Sequence, residues 1–130
     1  MKNCYLGIDV GSVSTGVVLM SENREIMGRV YTGTNGKPID AVQRALKEIK
    51  LQANEELNIK GVGTTGSGRN LASMIVGADV VKNEITAHGI AALNFVDGVR
   101  TILEIGGQDS KIILLKDGII RDFAMNTVCA

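Results

Sequence analysis

The stretch Cys4–Met20, CYLGIDVGSVSTGVVLM, returns in degenerate form near the other end of the chain. Placing Asp9 over Glu104 sets an offset of 95 residues, and at that offset the run VVLM at 17–20 falls on IILL at 112–115. Each copy has the pattern of an apolar strand that ends in a carboxylate, a tight glycine-containing turn, and a second apolar strand that returns antiparallel. The sequence therefore predicts two copies of one β-hairpin.

The residue types at these two turns suit phosphate chemistry. Glycine lets the backbone approach a ligand closely, and backbone N–H groups and hydroxyls at such a turn can hold phosphate oxygens. An acid at the end of the strand can hold a hydrated Mg²⁺ ion. Two such hairpins, separated by about one small domain, indicate two related lobes that hold a nucleotide between them.

Composition narrows the class of ligand. The chain has 130 residues with 14 basic and 14 acidic side chains, and it has only two Tyr, two Phe and no Trp. Because no basic run and few stacking aromatics are present, we expect no nucleic-acid partner. Because Asp9 interrupts the N-terminal apolar stretch and no apolar run reaches spanning length, we expect no leader, no membrane segment and a cytoplasmic protein. Two cysteines, Cys4 and Cys129, do not make a disulfide framework, and Cys4 is expected to be buried.

Periodicity predicts the order three strands, helix, strand, helix, strand, helix and three strands. The helices are expected at 39–53, 70–76 and 84–96, with Asn35 and Asn83 capping the first and third and Pro38 in the first turn of the first. The strands after the first hairpin are expected at 24–31, 57–62, 78–81, 101–105, 111–115 and 119–124. Three antiparallel strands followed by alternating helices and strands is the unit of the ribonuclease-H-like fold. We therefore predict an α/β protein with one complete mixed-sheet lobe at 1–97 and the first three strands of a second lobe at 98–130.

A glycine-rich segment contains Gly61-x-Gly63-x-x-Gly66, the dinucleotide-binding pattern. The preceding strand is short and polar, and no second strand ends at the downstream Asp79, which disfavours a dinucleotide site. The same segment lacks the lysine and hydroxyl of a P-loop, because Arg69 and Asn70 stand in their places. It is better interpreted as a tight strand-to-helix turn that faces the cleft.

Five segments together resemble a known family. They are LGIDVGSVST (6–15), GTTGSGR (63–69), NEITAH (83–88), EIGGQDSK (104–111) and MNTVCA (125–130). The combination resembles the ATP-dependent activators of 2-hydroxyacyl-CoA dehydratases and the related ATP-binding subunits of benzoyl-CoA reductase, which belong to the actin, Hsp70 and sugar kinase superfamily. The resemblance spans the whole chain and implies an ATPase that drives one-electron transfer to a dehydratase or acyl-CoA reductase component.

Carried over by position, the resemblance implies two phosphate loops that bind ATP or ADP with Mg²⁺. The residues implied are Asp9, Gly11 and Ser12 in the first loop and Glu104, Gly106, Gly107, Gln108 and Asp109 in the second. Asp9 and Glu104 would hold Mg²⁺ through water molecules, and Gln108 would position the attacking water. Cys129 would be a ligand to a [4Fe-4S] cluster shared across a homodimer. The family's second cluster cysteine and adenosine-binding segment would lie beyond Ala130, so the sequence is expected to be the N-terminal part of a longer activator.

Two alternatives stay open at this point. One is a small-molecule kinase of the same superfamily with Glu84 as base, since sugar kinases place a catalytic acid at this helix start. The other is a nucleotide-binding or interaction fragment without turnover. His88, the only histidine, is more often a packed side chain than a ligand or base in such a helix.

Overall fold

The computed structural model describes residues 1–126 of the chain. Its elements are, in order, β1 (Lys2–Val10), β2 (Ser14–Ser21), β3 (Ile26–Gly33), α1 (Pro38–Gln52), β4 (Leu57–Thr65), α2 (Arg69–Val76), β5 (Val80–Val81), α3 (Glu84–Phe95), β6 (Thr101–Ile105), β7 (Ser110–Lys116) and β8 (Ile119–Asn126). This is the order of strands and helices predicted from periodicity. No helix among the described residues is long and apolar enough to span a bilayer.

The chain divides into two compact units, of which the first is Met1–Lys82. Its five-stranded sheet has the order β3-β2-β1-β4-β5. The β1–β2 and β2–β3 pairs are antiparallel, and the β1–β4 and β4–β5 pairs are parallel. The sheet is therefore mixed, as predicted, and β1 lies at its centre.

One face of this sheet carries the core of the first unit. Alternate residues of β1 point to it, and α1 and α2 cover it with apolar side chains. The buried residues of this core are Cys4, Ile8, Val10, Val17, Leu19, Val30, Val42, Ala45, Ile49 and Ala72. Because side chains alternate along a strand, Asp9 points to the opposite face, where it is exposed. The packing thus fixes β1 and leaves its carboxylate accessible.

The start of α1 differs from the prediction. The residue before the helix is Lys37, which makes no side-chain cap, and Pro38 occupies the first turn as expected. Asn35 was expected to cap the helix, and that expectation is wrong. It sits instead in a left-handed turn with a φ of +54°, a conformation that asparagine tolerates better than most residues.

The strand β4 is longer than predicted, because it continues through the glycine-rich segment to Thr65. Gly61 and Gly63 pair with Tyr5 and Gly7 of β1 in the parallel ladder. Two of the three glycines in the dinucleotide-like pattern are therefore strand residues. Only Gly66 lies in the strand-to-helix turn, which agrees with the interpretation of this segment as a tight turn.

The second unit begins at Asn83. The side chain of Asn83 accepts a hydrogen bond from the backbone N–H of Thr86 at 2.9 Å and so caps α3, as predicted. The strands form an antiparallel sheet in the order β6-β7-β8. Its core joins α3 to the sheet and contains Ile85, Ile113 and Leu115, with Leu93, Val99, Ile102 and Ile120 packed against them.

The boundary between the units lies before α3 rather than after it. The sequence predicted a first lobe of 1–97, which would include this helix. In the structure the buried residue Ile85 of α3 belongs to the core of the second unit, and Gly89 lies where a Cβ would come 2.8 Å from Cδ1 of Ile120. α3 therefore packs against the three-stranded sheet, while the lobe boundaries of 1–97 and 98–130 stay a prediction.

Candidate functional site

The first predicted loop lies at the end of β1 and is closed by its own backbone. The N–H of Gly11 donates a hydrogen bond to the carbonyl oxygen of Ser14 at 2.8 Å. A Cβ at Gly11 would lie 3.1 Å from that oxygen, which is tighter than ordinary contact. Ser12 is exposed at the tip of the loop, and Asp9 is exposed at its base. The three residues implied for the first loop are therefore brought together.

A buried pair of hydroxyl groups holds this loop to the end of β3. Thr15 and Thr34 are both buried, and their Oγ1 atoms lie 2.9 Å apart. The hydroxyl of Thr34 donates to the carbonyl oxygen of Gly11 at 2.8 Å, and its backbone N–H donates to Val13 at 2.9 Å. Each buried polar group in this network has a partner, so the loop has one well-defined shape.

The turn after β4 lies directly against the end of β1. The N–H of Gly68 donates to the carbonyl oxygen of Val10 at 2.8 Å. Gly66 has a φ of +93°, and a Cβ there would lie 2.3 Å from the Val10 oxygen and 2.5 Å from Oδ1 of Asp9. Only glycine fits at this position, for reasons of both conformation and space. The turn is thus a third segment that contacts the carboxylate of the first loop.

The second predicted loop repeats the geometry of the first at the same offset. The N–H of Gly106 donates to the carbonyl oxygen of Asp109 at 2.8 Å, as that of Gly11 does to Ser14. The strand registers also repeat, since Asp9 pairs with Gly16 and Glu104 pairs with Lys111. The two hairpins predicted from the sequence are therefore structural copies. Gly107 and Gln108 are exposed at the tip of the second loop.

Lys111 gives the second loop an internal cation. Its Nζ lies 2.8 Å from Oδ1 of Asp109 and 3.2 Å from Oε2 of Glu104, and its side chain is 4% exposed. Burial by itself lowers the pKa of Lys111, but the hydrogen bonds and charges of Asp109 and Glu104 outweigh burial, so the pKa is raised. The ammonium group stays charged and fixes both carboxylates.

Lys111 and Thr34 shape the two loops, although neither was predicted from the sequence as a functional residue. A signal for Lys111 was present, because it alternates with the apolar Ile113 and Leu115 and so falls on the inward side of the strand. A lysine on that side is almost never buried unless it is paired, which points to nearby carboxylates. Thr34 had no such signal, since its partners Thr15 and Gly11 are distant in sequence.

His88 and Glu84 both lie in α3, which begins the second unit. Nε2 of His88 lies 3.9 Å from Oε1 of Glu104, which is too long for a hydrogen bond but places the ring beside the carboxylate. Glu84 lies in the first turn of the helix, where the helix dipole favours an acid. His88 therefore belongs to the surroundings of the second loop, while a catalytic role of Glu84 stays a prediction.

Of the two cysteines, Cys4 lies within the described residues and Cys129 does not. Cys4 is fully buried in β1, its thiol lies 3.8 Å from the carbonyl oxygen of Asn58, and burial raises the pKa of the thiol. Cys4 is therefore buried, as predicted, and its thiol stays protonated. Cys129 lies outside the described residues. Among residues 1–126, no cluster of three or more His, Cys, Asp or Glu side chains has the arrangement of a metal site.

A comparison with protein families matches residues 6–130 to the BadF/BadG/BcrA/BcrD ATPase family. The chain belongs to this family. The resemblance noted from the loop motifs is therefore confirmed, and membership covers both hairpins and the turn after β4.

Relatives within the BadF/BadG/BcrA/BcrD family include named activators. The chain is 33% identical over 129 residues to the (R)-2-hydroxyglutaryl-CoA dehydratase activating ATPase of Acidaminococcus fermentans, covering 96% of this chain and 47% of that protein. It is 38% identical over 132 residues to the activator of lactoyl-CoA dehydratase of Anaerotignum propionicum, covering 96% of this chain and 48% of that protein. The chain thus spans about half the length of the curated relatives it matches.

Solved structures of family members confirm the fold. Component A of the A. fermentans dehydratase superposes with a TM-score of 0.84 at 29% identity, over 95% of this chain and 47% of that one. The activator of the 2-hydroxyisocaproyl-CoA dehydratase from Clostridium difficile, solved with bound ADPNP, superposes with a TM-score of 0.81 at 29% identity, over 95% and 46% of the two chains. The predicted ribonuclease-H-like class is therefore correct.

Proposed function

We propose that this chain binds the phosphates of MgATP through its two hairpin loops. The observation that carries the proposal is the repeated turn, in which the N–H of Gly11 and the N–H of Gly106 close loops of the same shape 95 residues apart. A tight glycine turn beside a strand-end carboxylate suits a phosphate–cation pair, because the turn lets phosphate come close to the backbone and the carboxylate suits a hydrated cation. A homologous structure with bound ADPNP supports the nucleotide as the ligand.

The chain's own residues suggest how the site would work. Asp9 would hold the cation through its water molecules. Gly11, whose own N–H is bonded to Ser14, would let phosphate oxygens approach closely because it has no side chain, and Ser12 would hold them. Gly106 and Gly107 would do the same in the second loop, and Gln108 at its exposed tip would orient an attacking water. Such catalysis consists of positioning and charge stabilisation and needs no covalent intermediate.

In this proposal the roles of Glu104 and Asp109 differ from those that the resemblance alone implied. Both are held by the ammonium of Lys111, so the three side chains carry one net negative charge where two free carboxylates would carry two. Glu104 would then contact a hydrated cation while keeping its ion pair with Lys111. The lysine reduces the repulsion between these carboxylates and the triphosphate.

For the longer protein, we propose an ATP-driven activator of a 2-hydroxyacyl-CoA dehydratase or acyl-CoA reductase component. The named activators among the relatives support this function. Hydrolysis would be coupled to electron transfer, and the activator would work in the cytoplasm as a homodimer. We propose no nucleic-acid partner, because the charges balance and aromatic side chains are scarce.

Cys129 is proposed as a cluster ligand of the longer, dimeric protein. Cys4 is excluded by its burial, so a dimer of this chain offers only Cys129 twice, and a [4Fe-4S] cluster needs four cysteines. We expect no stable cluster on this chain alone. The longer chain reconstituted without oxygen should show iron–sulfur absorbance, and a Cys129→Ala variant that retained it would contradict the assignment.

Calorimetry of this chain with MgATP tests the proposed nucleotide site. We expect binding to wild type and a loss of at least about tenfold in affinity for Asp9→Asn, because a charged ligand to the hydrated cation is removed. Asp40→Asn, the same chemical change on an exposed residue of α1, is the matched control and should bind as wild type does. No binding to wild type, or equal affinities for all three proteins, would contradict the proposal.

A further inference from the structure

One buried hydroxyl group in the first unit makes no hydrogen bond within the protein. Oγ1 of Thr65, at the last position of β4, is buried and makes no hydrogen bond. Among residues 1–126 it is the one buried side-chain nitrogen or oxygen without a partner. Native proteins satisfy nearly all such groups, and leaving one unpaired costs about 1–3 kcal/mol. Folding alone therefore gives no reason for a threonine here, where valine has the same shape.

The preceding threonine shows what a purely structural hydroxyl looks like at the same turn. Thr64 points to the opposite face of the sheet and is buried, and its Oγ1 donates to the carbonyl oxygen of Arg69 at 2.9 Å. That bond ties the end of β4 to the first residue of α2. The hydroxyl of Thr64 on the core face thus has a partner in the protein, whereas that of Thr65 on the opposite face has none.

The position of Thr65 places its side chain beside the carboxylate of the first loop. Thr65 pairs with Asp9 in the parallel β1–β4 ladder, so the two side chains project from the same face of the sheet. The next residue, Gly66, approaches so closely that a Cβ there would lie 2.5 Å from Oδ1 of Asp9. The hydrogen bond from Gly68 to Val10 holds this arrangement in place.

We infer that Thr65 is a ligand-positioning residue whose hydroxyl, on turning from its buried position toward Asp9, accepts a hydrogen bond from a water molecule bound to the divalent cation. The inference rests on the proposed nucleotide site. A cation-bound water is a strong donor that can serve Asp9 and Thr65 together, whereas a phosphate oxygen at the same place would be repelled by the carboxylate next to it. The unpaired hydroxyl then becomes satisfied only when the metal–nucleotide complex is bound.

Three variants separate this role from a structural one. Thr65→Val removes the hydroxyl and keeps the shape, Thr65→Ser restores a hydroxyl, and Thr64→Val is the matched control that removes a satisfied hydroxyl. Unfolding midpoints are measured by circular dichroism without ligand. Affinities are measured by calorimetry for ATP with Mn²⁺ and for ATP in excess EDTA. Binding of Mn²⁺ in the presence of ATP is also followed by electron paramagnetic resonance.

The expected pattern has opposite signs for stability and binding. Thr65→Val should unfold at the wild-type midpoint or above it, yet bind Mn²⁺–ATP about tenfold more weakly, with metal-free ATP affinity unchanged. Thr65→Ser should recover most of the Mn²⁺–ATP affinity. Thr64→Val should lower the unfolding midpoint.

Each other outcome contradicts a specific part of the argument. If wild type binds Mn²⁺–ATP and Thr65→Val binds it equally well, the role of Thr65 is wrong while the nucleotide site stands. If Thr65→Val loses affinity for metal-free ATP to the same extent, the hydroxyl contacts phosphate, and the assignment to a cation-bound water is wrong. If wild type binds neither form, the proposed function fails and the inference fails with it.

Discussion

Nζ of Lys111 lies 2.8 Å from Oδ1 of Asp109, at the place where the first copy of the hairpin has Gly16. The two loops share one backbone turn and differ in this side chain. The first loop presents Asp9 at an exposed site, and the second presents carboxylates that are already held by a buried ammonium group. The repeat is therefore one of backbone geometry, and the second loop has a lysine where the first has Gly16.

Replacing Lys111 should destabilise the second unit and remove a pH dependence. Lys111→Met leaves Glu104 and Asp109 together without a counter-charge, at a cost of about 2–3 kcal/mol at neutral pH. The folded pKa of Lys111 is raised above its ordinary value of 10.5. Its contribution is therefore complete below about pH 10.5 and is lost as the pH rises through the folded pKa. Urea unfolding at several alkaline pH values measures both effects.

The control for that experiment is Lys116→Met, the same change at an exposed position of the same strand. It should alter the free energy of unfolding by about 0.5 kcal/mol or less. We expect the difference between wild type and Lys111→Met to shrink above pH 10.5. A difference that stayed constant across that range would contradict the ion-pair explanation.

Gly66→Ala should be among the costliest single changes in the first unit. The added Cβ would lie 2.3 Å from the carbonyl oxygen of Val10, at a φ of +93°. We expect a loss of roughly 3 kcal/mol or more in the free energy of unfolding. Gly77→Ala is the control, since Gly77 also has a positive φ but has nothing within 4 Å of its added Cβ. It should cost about 1 kcal/mol, and equal losses for both variants would refute the steric argument.

Removing the hydroxyl of Thr34 should loosen the first loop. Thr34→Val leaves the hydroxyl of Thr15 and the carbonyl of Gly11 without their buried partner, which should cost about 1–3 kcal/mol. Thr32→Val, at an exposed contact with Arg44, should cost about 0.5 kcal/mol or less. Chemical denaturation gives the energies, and faster hydrogen exchange at the Gly11 amide would report the loosening. Wild-type exchange in Thr34→Val would show that the hydroxyl pair does not hold the loop.

The outer face of the three-stranded sheet should drive self-association. β6 and β8 are edge strands, and one face exposes Leu103, Ile105, Ile112 and Leu114. Exposed apolar side chains next to unpaired strand edges favour pairing with another copy. We expect light scattering of the wild-type protein at roughly tens of micromolar to show oligomers. The double variant Leu103→Lys with Ile105→Lys should be monomeric under the same conditions. The matched double change Leu51→Lys with Met74→Lys, on exposed helix positions of the first unit, should leave the oligomers intact. A monomeric wild type would contradict this prediction.

Local patterns predicted most of the elements correctly, because strands and helices follow from the spacing of apolar residues. The repeat at 95 residues even predicted the shared turn, which the hydrogen bonds of Gly11 and Gly106 confirm. The predictions were wrong where a contact distant in sequence outweighed a local conformational preference. Asn35 can cap a helix, yet its left-handed turn was decided by the path from β3 into α1.

The contacts that shape the site were harder to predict. Lys111 was recognisable as an inward-facing lysine, but its two partners follow from the loop geometry rather than from spacing. The hydrogen bond of Thr34 to Gly11 joins residues from different elements, and no local pattern encodes it. The grouping of α3 with the second sheet has the same cause, since it depends on how Gly89 packs against Ile120.

The hydroxyl pair of Thr15 and Thr34 also bears on how fast a ligand could be captured. Because these buried groups fix the Gly11 carbonyl in the free protein, the first loop has no ordering step left to perform during an encounter. Association at this loop should then be governed by diffusion and by the charge of the ligand, and should depend only weakly on temperature. Slow capture with a steep temperature dependence would have to originate in another part of the molecule.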